Sequence, residues 1–154
     1  NLYEHSIRVP LIMAGPGIAE GAVANGLVYS LDISATLLEL AGIEAPPEMT
    51  SLSMVSQLRE PESAGRAELF SFYKNCQRAL RDEQWKLIEY QVEGRSVMEL
   101  FNLEDDPDEL TNQSHDPLHS HRIQRMRRRL CDEQEQFGDT FMYIDLDATP
   151  WAAC

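Results

Sequence analysis

The chain has 154 residues, enough for one domain with a real core, and its 26 acidic and 13 basic residues give a formal net charge of −13. An acidic chain repels the phosphate backbone and anionic lipid, so we expect no nucleic acid and no membrane as partners. No apolar run approaches the roughly 20 residues that cross a bilayer, and the first residues lack the layout of a signal peptide. Because an apolar run starts at Val9 with almost nothing before it, we expect a piece of a longer protein.

The first part of the chain has an α/β pattern. Residues 9–14 form a continuous apolar run closed by Gly15-Pro16-Gly17, which is typical of a strand buried on both faces of a parallel sheet. Asp32 is predicted to cap a helix that Gly42 ends in a left-handed conformation. The helix should have one apolar stripe, made of Ile33, Leu37, Leu40 and Ala41.

The second part predicts an antiparallel meander followed by a helix. Residues 44–65 are rich in Pro, Ser, Glu and Met, which indicates a long connection. Three strand patterns rich in aromatic and aliphatic residues follow, at residues 68–73, at 78–82 continuing through 85–90, and at 97–103, with short turns at residues 82–84 and 93–96. Asp116 and Pro117 then predict a helix start. The helix should pack on the sheet through a stripe of Ile123, Met126, Leu130 and Phe137.

Short motifs with possible chemistry have simpler interpretations. His115, His119 and His121 could bind a metal, but solvated histidines at a helix start are the better interpretation. The acidic stretch 105–109 lacks the ligand spacing of a calcium loop and is interpreted as a turn. The arginines from Arg122 to Arg129 indicate a solvated helix face. Three widely spaced cysteines predict neither a zinc knuckle nor a disulfide framework: Cys76, Cys131 and Cys154.

Several motifs in register over residues 2–112 resemble one enzyme family. The string Leu-Tyr-Glu-His-Ser-Ile-Arg-Val-Pro-Leu-Ile at residues 2–12 is similar to a segment of the sulfatases, which belong to the alkaline-phosphatase-like superfamily. Residues 28–43 resemble the family's D-x-x-P-T-x-L-x-L-A-G helix, with Ala35 in place of Pro. Further matches follow in the family's order at residues 77–82, 85–88, 99–103 and 106–110. Two smaller departures are Thr50 in place of Gly and Asn102 in place of Asp.

The resemblance implies an α/β fold class and a division of the chain. Residues 1–45 would be the end of the large alkaline-phosphatase-like α/β domain, and residues 46–65 a connection. Residues 66–138 would be a small α+β C-terminal subdomain, an antiparallel sheet with one packed helix. Residues 139–154 would be a tail.

The resemblance also implies a sulfuric ester hydrolase of sulfated sugars or aryl sulfates. Its nucleophile is a formylglycine made from a C/S-x-P-x-R motif, and its usual metal is calcium. That motif is absent from the chain, so nucleophile and metal ligands would lie upstream, and the sulfate-binding lysine would stand one residue before Asn1. Periplasmic or secreted localisation is implied as well. The alternatives are a phosphonate monoester or phosphodiester hydrolase of the same superfamily and a non-catalytic interaction module.

Three residues are candidates for the wall of the substrate pocket. His5 would lie beside the missing lysine, and Gln77 with Arg78 would begin a strand facing the cleft. An imidazole can hydrogen-bond a leaving-group oxygen, and a guanidinium can bind a sulfate bidentately. The alternative for Arg78 is a structural ion pair, and for His5 a packed residue behind the site. No catalytic residue and no metal ligand is predicted within the chain.

Overall fold

A computed structural model of the protein describes residues 1–92 and 95–140. They form two compact units. One contains Asn1–Val9 and the chain from Phe70 onwards, and the other contains Pro10–Leu69. The domain boundaries after residues 45, 65 and 138 stay a prediction. Apart from Asp139 and Thr140, the predicted tail lies outside the described residues.

A four-stranded sheet is the centre of the first unit. Its strands run in the order β1-β2-β3-β4, and β3 pairs antiparallel with both β2 and β4. The predicted meander is therefore confirmed, because aromatic and aliphatic strands joined by short turns pair with their neighbours in sequence. The strands are β1 (Leu69–Tyr73), β2 (Gln77–Arg81), β3 (Trp85–Val92) and β4 (Arg95–Asn102).

One long helix covers one face of the sheet, as predicted. The Asp116 side chain accepts a hydrogen bond from Leu118 N, Pro117 opens a 3-10 turn at Pro117–His119, and the last helix follows at Ser120–Gln136. Three of its predicted apolar residues are buried against the sheet, namely Ile123, Met126 and Leu130. Phe137, the fourth, is 48% exposed and stacks on Phe70.

The N-terminal segment covers the other face of the same sheet. Leu2 is buried in a second apolar cluster with Ala79, Ile88 and Phe101, and Tyr3 packs against this cluster. A single helical turn, α1 (Glu4–Ile7), follows. Alternation along each strand gives the sheet two buried faces, one under the last helix and one under residues 1–9.

Two helices form the second unit, α2 (Asp32–Leu40) and α3 (Val55–Arg59). The left-handed end of α2 is confirmed, since Gly42 has φ +68°. The predicted apolar stripe is wrong, because α2 buries Asp32, Ala35 and Thr36 while Leu37 and Leu40 are exposed. The predicted cap is also wrong: no side chain caps α2, because the Asp32 carboxylate binds groups outside the helix.

The strand predicted at residues 9–14 is absent from this chain. These residues form no regular element, and Val9 and Ile12 are exposed. A strand needs a neighbouring strand to satisfy its backbone hydrogen-bonding groups, and no described strand pairs with this segment.

One smaller expectation is also incorrect. The arginines of the last helix (α4, Ser120–Gln136) do not all face solvent, because Arg122 lies over the Trp85 ring at 4.1 Å and Arg127 pairs with Glu89. These contacts cross the fold, and sequence spacing does not show them.

Candidate functional site

Gln77 and Arg78 lie on opposite faces of the sheet. They are consecutive on β2, and successive strand residues point to opposite sides. Their neighbours identify the two sides: Ala79 packs in the cluster under the N-terminal segment, and Leu80 packs in the cluster under α4. Gln77 therefore shares a face with the segment that carries His5, and Arg78 does not.

Arg78 is buried and its guanidinium is fully engaged within the protein. It makes a two-pronged ion pair with Asp139, in which Nη2 lies 2.9 Å from Oδ1 and Nε donates to Oδ2. Its Nη1 donates to the backbone oxygens of Lys74 and Gln77 at 2.9 and 2.8 Å. This arrangement ties the β1–β2 turn to Asp139, three positions after the end of α4, and an anion could bind Arg78 only by displacing Asp139.

His5 and Gln77 flank a hydrogen-bonded group of two tyrosines and a carboxylate. The Tyr3 ring stacks on His5 with centroids 5.7 Å apart, and its hydroxyl donates to Glu99 Oε2 at 2.7 Å. Tyr90 donates to the same oxygen at 2.8 Å and lies opposite Gln77 in the β2–β3 register. The Gln77 Oε1 atom is buried and has no hydrogen-bond partner among the described residues.

The environment raises the pKa of both phenols. Burial raises the pKa of Tyr3 and of Tyr90, and the adjacent Glu99 carboxylate raises both further. Both hydroxyl protons are engaged by Glu99, and this hydrogen-bonded group lies beside an exposed imidazole. Sequence reasoning named His5 and Gln77 but missed Tyr3, Tyr90 and Glu99. The signal was available, since Tyr90 and Glu99 occupy strand positions on the same face as Ile88 and Phe101.

The described residues do not fit a calcium site. Within residues 1–92 and 95–140, no group of three or more His, Cys, Asp or Glu side chains could hold a metal. Of the three histidines near the start of α4, His119 instead packs against the Trp85 ring at 4.9 Å. The same part of the chain contains no helix long and apolar enough to cross a membrane.

Solved structures with the same fold are sulfatases. A protein of Bacteroides thetaiotaomicron VPI-5482 assigned to the sulfatases matches with a TM-score of 0.71 and 30% identity, over 89% of this chain and 32% of that one. A 2-O GAG sulfatase matches with a TM-score of 0.70 and 29% identity over the same shares of both chains. The fold class predicted from the sequence, the end of an alkaline-phosphatase-like α/β domain with a small α+β subdomain, is thus confirmed.

A match to a protein-family model assigns the chain to one family of sulfatases. Residues 1–136 match the family described as N-sulphoglucosamine sulphohydrolase, C-terminal. The chain belongs to this family of sulfatase C-terminal regions, and the resemblance predicted from its motifs is confirmed.

Curated relatives agree with this assignment. Arylsulfatase K of Mus musculus is 38% identical over 125 residues, which is 73% of this chain and 22% of the relative. Choline-sulfatase of Rhizobium meliloti is 36% identical over 125 residues, 76% of this chain and 23% of the relative. The chain therefore spans less than a quarter of the length of these relatives.

Proposed function

We propose that the chain is the C-terminal part of a sulfuric ester hydrolase that acts on sulfate esters of sugars or on aryl sulfates. The observation that carries the proposal is the family match over residues 1–136. The likeness to a 2-O GAG sulfatase supports a sulfated carbohydrate as substrate. Arylsulfatase K among the relatives supports the same reaction class.

The nucleophile and the metal would come from a part of the longer protein outside this chain. The described residues provide no cluster for calcium, and the 154 residues contain no C/S-x-P-x-R motif that could give a formylglycine. A covalent nucleophile splits ester hydrolysis into two easier steps, and a bound cation stabilises charge on the reacting group. We expect this chain alone to be inactive.

The contribution of this chain would be one wall of the substrate pocket. His5 is exposed on α1, and Gln77 lies on the same face of the sheet with an unpaired carbonyl oxygen. The His5 imidazole can hydrogen-bond sugar hydroxyls or an ester oxygen, and Gln77 could do so if its buried Oε1 became accessible. Arg78 stays in the proposal as a substrate contact only if its guanidinium leaves Asp139.

The reaction class is tested by comparing substrates with the longer protein. We expect turnover of 4-nitrophenyl sulfate and no comparable turnover of a phenylphosphonate monoester or of bis(4-nitrophenyl) phosphate. A preference for either phosphorus ester would overturn the sulfatase proposal. Loss of activity on chelation with EDTA, restored by calcium, would support a metal outside the described residues.

A further inference from the structure

A cluster of four charged side chains, three of them buried, lies between the N-terminal segment and the sheet. The Lys86 amine, on β3, is 0% exposed. It lies 3.0 Å from Glu4 Oε1 and 2.8 Å from Glu109 Oε1. Arg81 on β2 closes the cluster, with Nη1 3.0 Å from Glu4 Oε2. Two carboxylates thus face two cations, and the cluster is neutral as a whole.

The cluster joins segments that are far apart in sequence. Glu4 and Lys86 are separated by 82 positions. Glu4 and Glu109 are separated by 105, and the backbone N–H of Glu4 donates to Glu109 Oε2 at 2.5 Å. Both carboxylates of the cluster therefore hold the first turn of α1. The Glu4 carboxylate does so by pairing with Lys86, and the Glu109 carboxylate does so by accepting the backbone N–H of Glu4.

The acidic stretch 105–109 forms a turn that positions Glu109. The Asp106 carboxylate accepts hydrogen bonds from the backbone N–H groups of Leu110 and Thr111, which fixes a tight turn. Within that turn Glu109 adopts φ +55°, a left-handed conformation that is uncommon for a residue with a Cβ. Strain of this kind persists where the surroundings determine the backbone, and in this turn it points the Glu109 carboxylate at Lys86.

A cluster of this kind is better suited to fixing geometry than to adding stability. Removing two charges from water costs several kcal/mol per ion by order of magnitude, and apolar replacements of similar volume are often neutral or stabilising. Hydrogen bonds between charged groups are nevertheless short and directional, so they define one arrangement of the segments they join.

We propose that Lys86, Glu4 and Glu109 are positioning residues, which hold the N-terminal segment on the sheet so that His5 is presented in one fixed place. This inference rests on the proposed function, since it assumes that His5 contacts the substrate. Glu4 directly precedes His5 in α1, so a change in the position of the Glu4 backbone also moves the His5 imidazole. A misplacement of about 1 Å at a reacting centre can lower rates on the order of a hundredfold.

The main test uses the longer enzyme in which Glu4→Gln, Lys86→Met and Glu109→Gln together remove three of the four charges, and only Arg81 keeps its charge. The volumes are kept, and Arg81 can reach water because its side chain is 21% exposed. We expect the unfolding midpoint to fall, because Arg81 loses its carboxylate partner, and kcat/KM of the folded variant for a sulfated substrate to fall about tenfold. Adding His5→Ala to this triple variant should cause no further fall, because groups that act through one another are not additive. Unchanged activity in the folded triple variant, or a fully additive effect of His5→Ala, would overturn the proposal.

Amide hydrogen exchange gives an independent answer if the triple variant does not fold. In Glu109→Gln, the amides of Ile7 and Arg8, which donate to Tyr3 O and Glu4 O, should exchange at least about tenfold faster. The amides of β3 and β4 should keep their exchange rates in Glu109→Gln. In the surface control Asp132→Asn, the amides of both regions should keep their rates. Equal acceleration in both regions, or none in either, would overturn the positioning role. If the longer enzyme lacks sulfatase activity, the proposed function fails, and the exchange experiment still decides whether the cluster fixes the segment.

Discussion

Asp32 and Arg66 form a bidentate ion pair, with Arg66 Nε 2.8 Å from Asp32 Oδ2 and Nη2 2.6 Å from Oδ1. The Asp32 carboxylate also accepts the backbone N–H groups of Tyr29 and Leu52, both at 2.8 Å. Asp32 is 1% exposed, and the Arg66 guanidinium lies over the Tyr29 ring. The Asp32 carboxylate thus ties the start of α2 to the loops that contain Tyr29 and Leu52 and to Arg66, which lies shortly before β1.

Neutralising Asp32 should destabilise the second unit. Asp32→Asn leaves Arg66 without its counter-charge, and breaking a buried pair in this way costs about 3 to 5 kcal/mol. We expect the low end, because the Arg66 side chain is 18% exposed and can be partly solvated. Urea denaturation measures the change. The control is Asp132→Asn, whose pair with Arg129 is exposed and should be worth less than about 1 kcal/mol. Equal losses in both variants would contradict this account.

The same carboxylate gives a pH dependence. Burial alone would raise the pKa of Asp32, but the bonds from Arg66, Leu52 and Tyr29 outweigh it, so the pKa lies below the ordinary 3.8. Because the folded pKa is lower than the unfolded one, the stabilisation is complete above that value and is lost as pH falls through the folded pKa. The stability gap between wild type and Asp32→Asn should therefore shrink below about pH 4.

Glu89 is the control for this pH dependence, because its pKa is shifted in the opposite direction from that of Asp32. Burial raises the pKa of Glu89, although Arg127 lowers it in part. The folded state then holds that proton more tightly, so the contribution of Glu89 to stability decreases as pH rises. Equilibrium unfolding of Glu89→Gln and Asp32→Asn from pH 3 to 7 separates the two effects. An Asp32→Asn gap that widens towards low pH would refute the predicted direction for Asp32.

Shortening Leu130 tests the packing of α4 on the sheet. Leu130 is 1% exposed within the cluster that contains Leu80, Leu87 and Leu100. Leu130→Ala should lower the free energy of unfolding by about 2 to 5 kcal/mol, because it leaves a cavity as well as removing apolar contact. The matched control is Leu118→Ala, since Leu118 is 85% exposed and its truncation should change little. A small effect of Leu130→Ala would mean that α4 is not docked as described.

Arg78→Ala distinguishes substrate binding from a structural ion pair. If Arg78 grips the substrate, its loss in the longer enzyme should raise KM for a sulfated sugar far more than for a small aryl sulfate. If it only holds Asp139, both substrates should be affected equally, and Asp139→Asn should reproduce the effect. Steady-state kinetics on both substrates with both variants gives the answer. The observed ion pair makes Asp139→Asn the decisive comparison.

The sequence predicted those parts of the fold that depend on local pattern. The meander and the last helix follow from alternation, short turns and the spacing of Ile123, Met126 and Leu130, all of which act over a few residues. The docking of residues 1–9 on the sheet could not be predicted in this way. It depends on Glu4 meeting Lys86, 82 positions away, and single-residue patterns carry no information about that distance.

The errors have the same origin. Residues 9–14 and the leucines of α2 have patterns of buried elements, but burial needs partners that pattern alone does not supply. At the candidate site, the roles of His5, Gln77 and Arg78 stay a prediction. The alternation of β2 places Gln77 and Arg78 on opposite faces of the sheet, which follows from their being consecutive.

The central claim is that this chain is the non-catalytic end of a sulfatase, and a side-by-side activity assay tests it most directly. The purified 154-residue chain is incubated with an aryl sulfate and calcium. It is compared with a longer chain that extends upstream through the nucleophile motif and is co-expressed with the enzyme that makes formylglycine. Enzymes lower barriers by about 8 to 23 kcal/mol, mostly through covalent and electrostatic groups, and the sequence of this chain contains no C/S-x-P-x-R motif for a formylglycine nucleophile. We predict turnover by the longer chain only, and turnover by the shorter chain alone would contradict the account.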